Sequence, residues 1–115
     1  MTKVAHKTVD AKIFKYSGWI EDISPSNLKK DFHELLVQSH FMILSFSEHF
    51  FEKEGYSCVW LLGESHLALH TFPNKNRCYM ELSSCNKEKM EEFKKLLLVH
   101  NEIKVVLEEE SASFI

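Results

Sequence analysis

Gly63 to Cys85 reads GESHLALHTFPNKNRCYMELSSC, and the fold of the chain turns on how this stretch is read. Leu67 and Leu69 alternate with His66, Ala68 and His70, which is the two-residue period of a half-buried strand over Ser65 to Phe72. Pro73-Asn74-Lys75-Asn76 supplies turn residues, and Arg77 to Ser84 then returns as an antiparallel partner. Just upstream, Cys58 to Leu62 (CVWLL) is a continuous apolar run, expected to form a strand covered on both faces. Gly63-Glu64 separates that run from the next strand.

Working outward, Thr8 to Tyr16 alternates Val9, Ala11 and Ile13 against Asp10 and Lys12, the pattern of a strand with one wet face that Ser17-Gly18 should break. Ser24-Pro25 opens a helix, with a hydroxyl to cap it and a proline where the missing N–H costs nothing. Leu28, Phe32, Leu35 and Leu36 give that helix its apolar stripe through about Ser39. Phe41 to Phe46 is expected as a strand, with a turn at Glu52-Lys53-Glu54-Gly55. Asn86 can cap a second helix, whose stripe is Met90, Phe93, Leu96 and Leu97. Glu102 to Glu108 makes a last strand, and Glu109 to Ile115 reads as a frayed tail. The order β-α-β-β-β-β-α-β predicts an α+β fold: a two-layer sandwich of a mostly antiparallel sheet with two helices on one face.

The 115 residues fit one domain with one core, residues 1–115, and no repeat or low-complexity linker divides them. Apolar residues at 44% and charged residues at 27% are ordinary for a soluble globular chain. A net charge of −3 gives no basic footprint for nucleic acid and no polybasic membrane patch. No apolar run approaches the roughly 20 residues that span a bilayer, and MTKVAHKTVD has no apolar signal core. Cys58, Cys78 and Cys85, odd in number and without a secretion signal, are expected as reduced thiols in a cytoplasm.

Two simple readings of the central stretch fail. A hydrolase nucleophile elbow needs Gly-x-Ser-x-Gly, and Leu67 stands at the last glycine position. His66 and His70 would share a zinc on a helix, but four strand residues span about 13 Å, so no metal is expected.

The run Glu64-Ser65-His66, then His70-Thr71-Phe72-Pro73, then an acidic residue three before a small one and Cys85, resembles the short prokaryotic-type S-adenosylmethionine decarboxylases. The Ser65–His70–Cys85 spacing agrees with that family without a gap, and a weaker likeness reaches back through Ser57 and Phe51 to His49. The resemblance implies that Ser65 becomes a pyruvoyl cofactor by self-cleavage between Glu64 and Ser65, leaving chains 1–64 and 65–115. The Ser65 hydroxyl would attack the Glu64 carbonyl to give an ester, and β-elimination and hydrolysis would leave the ketone. Gly63 gives backbone freedom just ahead of that bond. It further implies His70 as the base of the elimination, Ser57 as a processing aid and Cys85 as the proton donor after CO₂ leaves. Phe51 and Phe72 match the family's adenine-stacking positions, Phe72 where tryptophan is common. Glu81 stands where the family has an aspartate. The chain departs from the pattern at Lys53, where proline is usual, and at Asn86, where glycine follows the cysteine.

The implied activity is decarboxylation of S-adenosylmethionine for polyamine (spermidine) synthesis, through a Schiff base that makes the ketone an electron sink. The implied partner is a second copy, two protomers packing sheet to sheet as a homodimer. Two alternatives stay open: the same chemistry on ornithine or arginine, and an uncleaved homologue that binds or regulates.

Overall fold

The computed structural model describes residues 12–114. Six strands and two helices follow in the expected order: β1 (Lys12–Ile20), α1 (Pro25–Gln38), β2 (Ile43–Phe50), β3 (Tyr56–Leu62), β4 (Ser65–Phe72), β5 (Arg77–Ser84), α2 (Lys87–Leu98) and β6 (Val105–Phe114). A single 3₁₀ turn, Pro73–Lys75, joins β4 to β5, with Asn76 left-handed behind it. All strand pairs are antiparallel, in the order β2-β3-β4-β5-β1-β6. The result is the α+β sandwich that the element order implies. Among the described residues no helix is long and apolar enough to cross a membrane.

One core lies between sheet and helices. Tyr16, Trp60, Leu67, Leu69, Met80 and Leu82 from the sheet meet Phe32, Leu35 and Leu36 of α1 and Met90, Phe93 and Leu97 of α2. The rings of Phe32 and Phe93, 6.2 Å apart, join the two helices. Ser24 and Asn86 cap their helices as expected, accepting from the backbone N–H of Asn27 and Lys89. Helix α1 ends in a Schellman motif without glycine. His40 takes the left-handed conformation at φ 68°, with Phe41 N–H bonded to Leu36 O and His40 N–H to Val37 O. Phe41 is therefore spent on closing the helix, so β2 starts at Ile43 and runs to Phe50 rather than spanning Phe41 to Phe46.

The sequence misleads at three further places. Ser17-Gly18 does not break β1, because both residues pair with β5 on one side and β6 on the other. Gly18 serves close approach instead: a Cβ there would lie 2.9 Å from the Leu107 carbonyl oxygen. Glu109 onward is not a frayed tail, since β6 stays laddered to β1 as far as Phe114. Strand β3 is covered on one face only. Tyr56, Cys58, Trp60 and Leu62 are buried, whereas Val59 and Leu61 are exposed on the face away from the helices. The N-terminal part of the expected first strand, Thr8 to Ala11, lies outside the described residues.

Candidate active site

The expected residues fall into two groups. The first sits where β3 turns into β4 beside the end of β5. Glu64 has φ 56°, a left-handed conformation that costs a residue with a Cβ about 1–3 kcal/mol. Gly63, where backbone freedom was expected, is not the residue that uses it. Ser65, the next residue, faces the helices and is 8% exposed. It pairs directly with Ser84 across the sheet, and its hydroxyl donates to Ser84 Oγ at 2.7 Å. Cys85, whose side chain points the other way, donates to the Glu64 carbonyl oxygen at 3.5 Å and to Glu64 Oε2 at 3.3 Å. The hydrogen bond to Glu64, followed by desolvation, raises the Cys85 pKa, so the sulfur keeps its proton at neutral pH. Both atoms of a serine-on-carbonyl attack, Ser65 Oγ and the carbonyl of Glu64, are thus held by consecutive residues of one strand end.

The second group lies on the exposed sheet face. His49, Ser57, His70, Tyr79 and Trp19 stand opposite one another on five neighbouring strands. Ser57 Oγ and His70 Nδ1 are 2.8 Å apart and line a hollow of about 200 Å³ with His49, Val59 and Ala68. Phe72 is part-exposed on this face, and its ring lies 5.5 Å from Trp19, which lies 5.3 Å from Tyr79. Phe51, just beyond β2, sets its ring edge-on to His49 at 4.7 Å. His66 shares the exposed face of β4 with His70, four residues of extended chain away.

Within one chain the two groups do not meet. Ser65 and His70 are five strand residues apart, roughly 16 Å, with side chains on opposite faces of β4. Glu81 borders the second group, opposite Ala68 across the β4–β5 ladder, held by Lys15 Nζ at 2.7 Å and accepting from Tyr79 Oη at 3.4 Å. The hydrogen bond from Lys15 holds its carboxyl below the usual range. Cys58 and Cys78 are buried, and desolvation pushes their thiols up to about 11 and about 12, which leaves them as core packing.

Two residues of these groups were not expected. Trp19 lies past the Ser17-Gly18 step where the sequence predicts β1 to end; carrying the strand's alternation past Gly18 places it on the outer face. Ser84 escaped because only the β4–β5 register makes it Ser65's neighbour, and periodicity carries no register.

The family model for S-adenosylmethionine decarboxylase matches residues 19–108. A crystal structure of the adenosylmethionine decarboxylase from Aquifex aeolicus VF5 superimposes with a TM-score of 0.70 at 13% identity, over 90% of this chain and 88% of that one. At that identity the likeness carries the fold alone. No curated protein matches in sequence. The family match spans most of the chain, both site groups included, and the chain belongs to the S-adenosylmethionine decarboxylase family.

Proposed function

We propose that the chain is a self-processing, pyruvoyl-dependent decarboxylase of S-adenosylmethionine, acting in the cytoplasm and supplying the decarboxylated product to polyamine synthesis. The observation that carries this reading is the Glu64–Ser65 junction. A strained left-handed residue precedes the serine, and the thiol of Cys85 donates to the carbonyl that the serine would attack. The attack converts the peptide to an ester, and the elimination that follows frees the backbone held left-handed at Glu64. The Cys85 thiol lies against Glu64, the residue next to the carbon where the group would form. A pyruvoyl group there supplies an electrophilic ketone that draws electrons from the bond to the departing carboxyl. Cys85, protonated and exposed, is the donor poised to return a proton to the substrate carbon.

The base for elimination must reach the Ser65 Cα hydrogen. The Ser57–His70 pair lies on the exposed face of the sheet, away from the helices. His70 stands roughly 16 Å from Ser65 along β4, so a second copy delivers it. Two sheets packed face to face would bring the Ser57–His70 pair of one protomer to the Ser65–Cys85 end of the other. The exposed Val59, Leu61 and Phe72 are apolar area that such a homodimer would cover.

The substrate follows from the same face. Phe51 and Phe72 are exposed at the His70 end of the sheet, and a stacked base is worth about 1–3 kcal/mol. An ornithine or arginine site wants carboxylates for the distal cation, and of the two acids in the central stretch Glu81 is paired with Lys15 and Glu64 accepts from Cys85. CO₂ release from carboxyl-labelled S-adenosylmethionine, with none from labelled ornithine or arginine, is the expected result. Turnover of either amino acid alone would overturn the substrate and leave the mechanism standing.

Cys85→Ala separates processing from turnover. Chain scission should still proceed, slowed at most, because the Ser65 hydroxyl and the left-handed Glu64 remain in place. Turnover by the cut protein should fall by about 10²-fold or more, the usual worth of a positioned acid. Wild-type behaviour in both assays would reduce Cys85 to packing.

A further inference from the structure

We propose that Ser84 is a positioning residue for chain scission: its hydroxyl oxygen holds the hydrogen of the Ser65 hydroxyl and leaves the Ser65 lone pairs to the Glu64 carbonyl. The inference rests on the self-processing reading above and gives a task to Ser84, which the motif carries only as the small residue before Cys85.

A serine hydroxyl has one hydrogen and two lone pairs. Those of Ser84 are all used. Its oxygen accepts from Ser65 Oγ at 2.7 Å and from the Asn86 N–H at 3.0 Å, and its hydrogen turns to the Asn86 carbonyl at 3.5 Å. Ser84 is therefore fixed by the residue that starts α2, since Asn86 also caps that helix through Lys89 N–H at 3.0 Å. Ser65 is 8% exposed and Ser84 1%, so the contact is largely shielded from solvent. Without it the Ser65 hydroxyl would choose among staggered rotamers with its hydrogen unplaced. With it, one orientation holds, and both lone pairs stay free for attack.

The step balances within the chain. The bond from Ser65 Oγ to the Glu64 carbonyl carbon forms, and the bond from that carbon to the Ser65 nitrogen breaks. The hydrogen that leaves Ser65 Oγ is the one the Ser65 nitrogen gains, passed in the tetrahedral intermediate where oxygen and nitrogen share one carbon, so Ser84 ends as it began. Ser84 and Cys85, adjacent and pointing to opposite sides, then grip the nucleophile and the electrophile of the same peptide.

The test follows the 13.5 kDa precursor from cell-free translation by intact mass, for wild type, Ser84→Ala, Ser84→Cys and Ser84→Thr. Ala removes the acceptor, Cys keeps the volume with a poor acceptor, and Thr keeps the hydroxyl. Scission should slow about tenfold or more in the first two, the scale of one buried hydrogen bond, and recover in Thr, with melting temperatures as the check on folding. Hydroxylamine, which cuts an ester but not this peptide, should release little fragment from Ser84→Ala and much from His70→Ala, where the ester forms and elimination stalls. Wild-type scission rates in Ser84→Ala, or in Ser84→Cys if the alanine protein fails to fold, would overturn the role of Ser84 alone. A wild-type precursor that never cuts would overturn the self-processing reading, and this inference with it.

Discussion

Ser65→Ala should leave one chain of 13.5 kDa under conditions where the wild type resolves into fragments 1–64 and 65–115. The effect is all or nothing because the hydroxyl supplies both the attacking oxygen and, after elimination, the carbons of the ketone. No neighbour can replace it. Cys85 reaches the Glu64 carbonyl only through its thiol hydrogen, and its raised pKa keeps it from being a thiolate nucleophile. Ser84 faces Ser65 but would have to attack across the sheet. Decarboxylation should fall to background in the same variant, since no electrophile forms. A wild-type protein that stays whole through prolonged incubation would sink the enzyme reading and favour a binding or regulatory homologue. Fragments from the Ser65→Ala protein would mean that the cut is proteolysis.

The second large effect is rescue between two dead proteins. Ser65→Ala lacks the nucleophile and His70→Ala lacks the base, so neither alone should yield the pyruvoyl chain. Mixed in one dimer, the intact Ser65 of one copy faces the intact His70 of the other. A two-fold interface is reciprocal, so the second site of that dimer carries both defects. Random pairing of equal amounts makes about half the dimers mixed, and about a quarter of all sites competent. Scission limited to the His70→Ala chain, at about half of that chain, is the expected signature, read by mass because the two chains differ. No scission in a mixture shown to contain mixed dimers would mean that each chain must complete its own site. The roughly 16 Å between Ser65 and His70 would then have to close by a rearrangement of β4.

Much of this layout is legible from local chemistry, for reasons particular residues make plain. Strands β4 and β5 announce themselves through alternation and the Pro73–Asn76 turn, and both helices through the hydroxyl or amide that caps them. What hides is set by distant contacts. Tyr16 donates to Glu108, 92 residues on, and β1 lies between β5 and β6; nothing near Gly18 says that two neighbours will carry the strand through it. The left-handed turn falls on Glu64 although Gly63 is the freer residue, because the β3–β4 turn needs it one step later. In the site, Ser65, His70 and Cys85 stand at the family's intervals, yet an interval does not reveal face. Ser65 and His70 differ by an odd number of strand residues, so they look to opposite sides.

The order of the strands gives a cut at Glu64–Ser65 a particular character. The first fragment would own β2, β3 and β1, the second β4, β5 and β6, and across the sheet they run first, first, second, second, first, second. Three of the five ladders, β3 to β4, β5 to β1 and β1 to β6, would then join two separate polypeptides. Such halves are woven, not stacked: neither can leave without tearing a strand from between its neighbours, and β1 would have to be pulled out of both sides at once. The nicked protein should therefore migrate as one species until it is denatured. Its pieces, once parted, should be slow to find each other, because the weave is made by a single thread and the thread is cut only afterward.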